Sequence, residues 1–576
     1  MTRTKKPRAK KKRVRLSPAE ASRRRMELKF KTDIRTVFLN AGFEQVPTRD
    51  KNITVASRVG DLDSVFLYNN IVVIVEDTTL ATSNIGDHLR KKAEFFSHLQ
   101  MHRLSTLEVL RGNFERFAEY FNRSDFEPEE YHLRFVYASR NDVDESYQTH
   151  YGQACKLLSY SSLQYFLSLT KTIKRSARFE ILKFLDVDLH QVGSPKSKTD
   201  LSTFSALQLP AVQSGFPPGH KLVSFLIDPA TLLERAYVLR ADSWRDSDAL
   251  YQRLLVRDKI GSMRKYLVEE RRVFVNNIIV TLRGDAVYHP TPGSKPEDSG
   301  ATHVSVGELT IPRRFDAIGI IDGQHRVYAY HEGDDQLDTK IAALRGRQHL
   351  LVTGIIYPNS ISSAEAEVFE AKLFLEINDK QKRVRGDLKQ AIETLINPCS
   401  DVAIAKSVLH RLGATGPLVG ILGLHFFDTG KLKTTSIVSY GLRHIVGLRE
   451  PVSFFNRWTR PDKGKLLNVC DRDVLDLYVQ YCGTELNKLI GAFKASRPQE
   501  LWTTDRRESR MLTTTTINGL IFCMRLLLGN QRLGSFDSYL DGFRRLDVDF
   551  RPGKFPYKSS HWRKLGEHIY DQCFKP

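Results

Sequence analysis

The sequence predicts a multidomain protein of mixed α+β and α/β class, on three observations. Its 576 residues exceed what a single hydrophobic core usually organises. Two segments, 26–145 and 205–390, alternate helical and strand patterns, and from 391 to 576 helical periodicity dominates. A hydrophobic content of 41% supplies apolar side chains for cores of that size.

The elements follow in chain order. Residues 1–25 read as a basic, disordered tail, with SPAE at Ser17 as a helix start. MELKFKTDIRTVFLNAGF is an amphipathic helix. Strands are expected over 63–68 and 71–76, a helix over 87–100, and a further strand, LRFVYAS, ending at Ser139. Residues 146–204 read as a helical segment and linker, because VGSPKSKTDLSTFSALQLPAVQSGFPPGH is rich in Ser, Pro and Gly. The C-terminal region, with stretches such as DVLDLYVQYCGTELNKLIGAF, is expected to be mostly α.

Charge narrows the partners. The formal net charge is +20, and nine Lys or Arg with no acid fall within the first sixteen residues. Such an arm is either simply solvated or grips phosphates without sequence preference, and the excess favours a polyanionic partner such as DNA, RNA or an acidic surface. No two of the six cysteines lie within four residues of each other, so no zinc knuckle or CxxC pair is legible. No apolar stretch is long enough to span a bilayer and no secretory signal opens the chain. The expected location is cytoplasmic, with no membrane partner.

Two stretches carry chemistry. In RVGDLDSVFLYNNIVVIVEDTTL the β-rich runs flank Asn69–Asn70, a pair suited to a two-residue hairpin turn. Counting outward sets Asp63 opposite Glu76 and Asp61 opposite Thr78, all on one face. Paired carboxylates repel unless one takes a proton or a cation such as Mg²⁺ sits between them. The bland alternative is two strand ends facing solvent. The second stretch is AIGIIDGQHRVYAYHEG, 317–333. AIGII suits a buried strand, Gly323 permits a sharp turn, and Gln324, His325 and Arg326 open the next element. A strand–glycine–helix junction presents backbone N–H groups to a phosphate, with Arg326 as a forked donor. Here the bland alternative is that His325 and Arg326 only hold the turn together.

The string Asp322–Arg326 resembles the signature of the DGQHR-domain family, DNA-associated prokaryotic proteins related to DndB. RRVFVNNIIVTL, with Asn276 and Asn277, resembles a family segment. So do AKLFLEINDKQKRV, with Phe374, Asn378 and Gln381, and YKSSHWRKL near the C-terminus. The resemblance spans roughly 205–576. It implies a ParB/sulfiredoxin-like core in which Gly323, Gln324, His325 and Arg326 line a site for ATP or another nucleoside triphosphate. Asp322 would hold a metal or orient Arg326, and Asn276, Asn277 and Asn378 would assist. Separately, GDLD…VVIVEDT is similar to the PD-(D/E)XK nucleases, implying a restriction-endonuclease-like N-terminal domain. There Asp63 and Glu76, with Asp61 and Glu27, would hold Mg²⁺. Thr78 stands where that pattern has its lysine, so Lys91 or Lys92 on the following helix would take the role. Three readings of this domain stay open: an active nuclease, an inactive DNA-binding relative, or neither. For the whole chain the resemblances imply a DNA-modification or phage-defence component that works with other proteins of such a system. It would be a Mg²⁺-dependent endonuclease, a nucleoside triphosphatase or both; the alternative is a non-enzymatic, DndB-like DNA-binding regulator.

Overall fold

The computed structural model describes residues 17–48, 51–143, 145–193, 201–238, 255–283, 285–290, 303–358, 360–379, 386–424, 428 and 431–575. The basic run of residues 1–16 lies outside them, as does Gln381. The chain divides into two units, Met1–Leu163 and Gln164–Pro576, and both mix helices with a sheet. Among the described residues no helix is long and apolar enough to cross a membrane.

The first unit opens with α1 (Pro18–Asn40), whose N-cap Ser17 accepts from Glu20 N while Glu20 answers with its side chain, a complete capping box. The basic tail therefore stops short of residue 25, because the SPAE signal already starts the helix at Pro18. Strands β1 (Glu44–Val46), β2 (Asn52–Val55), β3 (Arg58–Asp61), β4 (Ser64–Tyr68) and β5 (Ile71–Thr78) follow. Next come helices α2 (Thr82–Met101), α3 (Arg103–Asn113) and α4 (Glu115–Arg123), and then β6 (His132–Ser139), α5 (Glu145–Tyr151) and β7 (Lys156–Leu158). The main sheet runs β1-β4-β5-β6-β7, with β2 and β3 forming a separate hairpin. β1, β4 and β5 pair antiparallel, and β5, β6 and β7 pair parallel. Alternation along β4 and β5 feeds two faces. Phe66 stacks on Phe38 of α1 at 4.4 Å, while Val65, Leu67, Val72 and Ile74 join Leu89 and Phe96 of α2 in one core. Because β7 belongs to this sheet, the first unit reaches past residue 145.

The second unit begins within α6 (Tyr160–Ile173), followed by α7 (Arg178–Phe184). Its eight-stranded sheet has the order β10-β14-β11-β15-β9-β8-β13-β12. Its elements are β8 (Leu201–Leu209), α8 (Ala211–Ser214), β9 (Lys221–Ile227), α9 (Pro229–Arg235), β10 (Ala236–Tyr237), α10 (Arg257–Glu270), β11 (Ile278–Leu282), β12 (Val287–His289) and β13 (Ser305–Pro312). They continue with β14 (Ile318–Asp322), α11 (Gln324–Tyr328), α12 (Asp338–Arg345), β15 (Leu350–Ile356) and α13 (Ser363–Asp379). The linker reading is corrected here. LSTFSALQL is strand β8, paired with β9 and β13; Thr203 and Ser205 lie on its exposed face, in a strand rather than a loop.

Helices dominate from 386 onward, the longest being Arg472–Ala495 and Thr514–Gly529, packed around one apolar core. A disulfide joins Cys399 and Cys470, 71 residues apart in sequence, a pairing that spacing could not reveal.

Candidate functional site

The acidic centre of the first unit grows out of the β4–β5 hairpin. The turn is Asn69–Asn70, with Asn69 at φ 48°, and the register runs from Tyr68 opposite Ile71 to Ser64 opposite Val75. The paired register stops there: Asp63, counted from the sequence opposite Glu76, lies one residue outside β4 at a bend, and its Oδ2 meets the Asp77 N–H. Asp61 departs from that count: it closes β3 opposite Asn52, and Thr78 pairs with Ser139 of β6. The chain bends at Leu62–Asp63, so the predicted Asp61–Thr78 pair does not form.

Four carboxylates gather here, and each meets a lysine. Lys92 Nζ of α2 sits 2.7 Å from Glu76 Oε2 and 2.8 Å from Asp61 Oδ1. Lys31 Nζ of α1 sits 3.3 Å from Asp63 Oδ1 and 3.7 Å from Asp77 Oδ2. Asp63 Oδ2 also accepts from the backbone N–H of Asp77 at 3.0 Å. Of the two lysines proposed for the missing motif position, Lys92 reaches the carboxylates and Lys91 is exposed. Helix α2 explains this: Leu89, Ala93 and Phe96 bury its inner face, and Lys92 lies on the border of that face while Lys91 lies away from it. Glu27 is near the end of β5, paired with Arg23 at 2.9 Å and accepting from Thr79 Oγ1 at 3.4 Å. Lys31, Asp77 and His88 were missed by sequence reading. The i,i+4 spacing of His88 and Lys92 on an amphipathic helix was the signal that could have found His88.

Burial makes this cluster electrostatically strained. The Glu76 side chain is 6% exposed. Burial, and then Asp63, push its carboxyl up to about 8 against the opposing pull of Lys92. Burial lowers the Lys92 ammonium, but Glu76 and Asp61 outweigh it and leave it above the ordinary lysine value. Burial, reinforced by Lys92, pulls His88 down and keeps it neutral near pH 7. Its Nδ1 is 2.8 Å from Tyr137 Oη and its Nε2 is 3.5 Å from Glu76 Oε1. Four acids thus face two lysines and a neutral imidazole. Among the described residues no three His, Cys, Asp or Glu side chains form a metal-binding group. The shared-cation expectation is corrected to that extent, since in this state lysines supply the positive charge. Asp61, Asp63 and Glu76 are oxygen donors of the kind Mg²⁺ takes, one or two carboxylates with the rest of its shell water, and in this state Lys31 and Lys92 touch them.

The second site is at the end of β14. Gly323 has φ 97°, and a Cβ there would sit 2.9 Å from Arg326 Nη2, so both the turn and the arginine's return path require glycine. Arg326 Nη2 donates to Asp322 Oδ2 at 2.9 Å and to the Asn277 carbonyl at 2.8 Å. Asp322 thus orients Arg326, one of the two roles expected of it. β11 runs antiparallel to β14, with Ile279 opposite Asp322, which is why Asn276–Asn277 meets the DGQHR turn. Asn277 supports from behind, its Nδ2 on Thr353 Oγ1 at 2.7 Å.

A cavity of about 350 Å³ opens over this turn. Asn276, Asp322, Gly323, Gln324, His325, Arg326 and Asn378 line it, as does Phe374. Lys259, Met263 and Phe274 also line it and carried no sequence signal. The helix-start expectation is corrected, because α11 has five residues and the Arg326 and Val327 amides already donate to Gly323 O at 2.8 and 3.1 Å. One short turn provides little dipole, so recognition here rests on side chains. Phe374 and Asn378 are held over the cavity by α13, which is anchored one turn earlier by Glu370. That buried carboxylate accepts from Thr281 Oγ1 (2.7 Å), Tyr237 Oη (2.9 Å) and Tyr357 Oη (3.1 Å). Burial raises its pKa against those hydroxyls. Gly319 leaves room for the knot, since a Cβ there would lie 2.5 Å from Thr281 Oγ1.

No family model, curated protein or solved structure matches this chain.

Proposed function

We propose that the first unit hydrolyses DNA phosphodiesters with the help of a divalent cation, and that the DGQHR cavity of the second binds a nucleoside triphosphate. The two would serve a prokaryotic DNA-modification or phage-defence system. The observation that carries the nuclease reading is Lys92 Nζ, lodged between Glu76 and Asp61. It supplies from α2 the cation that Thr78 leaves out of the strand. A helix followed by a main sheet β1-β4-β5-β6-β7, antiparallel over β1-β4-β5 and parallel over β5-β6-β7, with α2 to α4 crossing from β5 to β6, supports a restriction-endonuclease-like domain.

Asp63 and Glu76 are the residues that would hold Mg²⁺, which when bound supplies positive charge against a phosphodiester and makes a nearby water more acidic. Lys92 orients the attacking water or a phosphate oxygen through Nζ. His88, fixed by Tyr137 through Nδ1, holds a proton-accepting or proton-donating Nε2 beside Glu76. In the second unit Lys259, His325 and Arg326 face the phosphates, while Phe274 and Phe374 provide apolar wall for a base.

The test is plasmid cleavage in Mg²⁺. Asp63→Asn with Glu76→Gln is expected to cut at least about 10³-fold more slowly with DNA affinity retained; undiminished cutting by that protein refutes the assignment. One observation favours a second reading, a non-enzymatic regulator: Lys31 and Lys92 already neutralise part of the acidic centre. That reading predicts sequence-selective binding that ignores metal, with no phosphate release from nucleotide.

A further inference from the structure

Helix α1 is longer than its packing needs. Its buried residues are Phe30, Asp33, Ile34, Val37 and Phe38, so Pro18–Lys29 buries nothing, a length of roughly 18 Å at the α-helical rise. A solitary stretch of this length is marginal in water; the Ser17–Glu20 box, the Arg23–Glu27 and Lys29–Asp33 pairs and the Thr79 hydroxyl on Glu27 support it.

The residues on it indicate what it meets. Phe30, Ile34 and Val37 stand seven, eleven and fourteen positions after Arg23, so the stripe that faces the core further along is occupied here by Arg23, its side chain 72% exposed. Ala19 and Met26, eleven and four positions before Phe30, lie on the same stripe and are exposed, so this part of it is mixed rather than continuously apolar. Met26 and Leu28, two apart, point to opposite sides of the helix, which leaves no apolar face to enter a lipid surface. Arg23, Arg24 and Arg25 spread cations around the axis. Arg24 lies seven residues before Lys31, on the same stripe and about 10 Å from it, and Lys31 is the residue that touches Asp63 and Asp77. The first 31 residues contain fourteen Lys or Arg and two Glu.

We propose that the projecting part of α1 is a duplex-DNA-binding ridge that guides a phosphate chain along Arg23, Arg24 and Arg25 to Lys31 at the rim of the acidic centre. The inference rests on the nuclease reading for its destination, while the binding itself is independent of cleavage. Helix cations spaced in this way suit the phosphates flanking a groove.

The experiment measures affinity of the full chain for a fluorescent duplex of about 30 base pairs, in EDTA, over a series of salt concentrations. Arg23→Gln, Arg24→Gln and Arg25→Gln together preserve helix propensity. They are expected to raise Kd at least about tenfold near 0.1 M salt and to flatten the salt slope by about 3. The same charge loss placed elsewhere (Lys340→Gln, Lys433→Gln and Arg506→Gln) should change Kd less than about twofold. Unchanged Kd and slope in the first protein, equal losses in both, or tighter binding to phosphatidylserine vesicles than to duplex would each overturn the ridge. EDTA removes cleavage from the readout, so failure of the ridge and failure of the nuclease reading register in different assays.

Discussion

The two sites contain the same kind of contact and put it to different uses. Asp322 and Arg326 pair at 2.9 Å with side chains 32% and 20% exposed, and Arg326 also caps a backbone carbonyl. Glu76 and Lys92 pair at 2.7 Å with side chains 6% and 13% exposed. The first pair is partly solvated and sets the geometry of a turn. The second is dry and crowded by Asp63, which drives the carboxyl toward protonation. Distance alone does not separate the two pairs; desolvation and unbalanced charge do.

The largest expected effect separates the sites by chemistry. Lys92→Ala should lower the cleavage rate by about 10²–10³-fold, while Lys91→Ala, altering an exposed neighbour, should leave it within about twofold. Equal losses from both lysines, measured in single-turnover assays, would remove the distinction that burial draws.

A second effect belongs to the DGQHR unit. Glu370→Ala strips three buried hydroxyls of their acceptor and should cost about 3 kcal/mol in urea unfolding, with nucleotide affinity falling as Phe374 and Asn378 lose their support. Glu370→Gln, keeping an acceptor oxygen, should recover most of both; failure to recover would mean that charge, not hydrogen bonding, holds α13. A smaller change is expected for Arg326→Ala, about a tenfold weaker ATP Kd by calorimetry, with cleavage by the first unit unaffected. Unaltered ATP binding would take the arginine out of the phosphate site.

The smallest effect is a slope. The folded pKa of Glu76 is raised to about 8 from an ordinary 4.5. The group therefore keeps its proton in the folded protein where the unfolded chain has lost it. Its stabilising contribution is complete below about pH 4.5 and disappears as pH rises through 8. The melting temperature of the first unit should decline over that window, and Glu76→Gln should flatten the decline. Cleavage should move the opposite way, rising toward pH 8 as the carboxylate forms. A flat thermal profile in the parent protein would show that Glu76 is not desolvated.

Much of this was legible beforehand because it is local. Asn69–Asn70 with alternating apolar residues on either side fixes a hairpin register, and the hairpin brings Asp63 and Glu76 to its same open end. Ser17 with Glu20 starts α1, although the run of arginines after it resembled a tail. LSTFSALQL was misread since its small polar residues serve equally well on the open side of a strand and in a loop. Lys31 and Lys259 were invisible for another reason: each lies on a helix whose docking angle no single-chain pattern encodes.

The sequence by itself determined the alternation of elements, the hairpin pairing and the Gly323 turn, because these follow from steric and hydrogen-bonding rules acting over a few residues. Only the tertiary structure decided that Lys92 rather than Lys91 contacts Glu76 and Asp61, that Asp61 leaves its counted partner, and that α10 and α13 close a cavity over the turn. Those outcomes depend on how helices pack on sheets, where burial over long sequence separations sets both the distances and the charges.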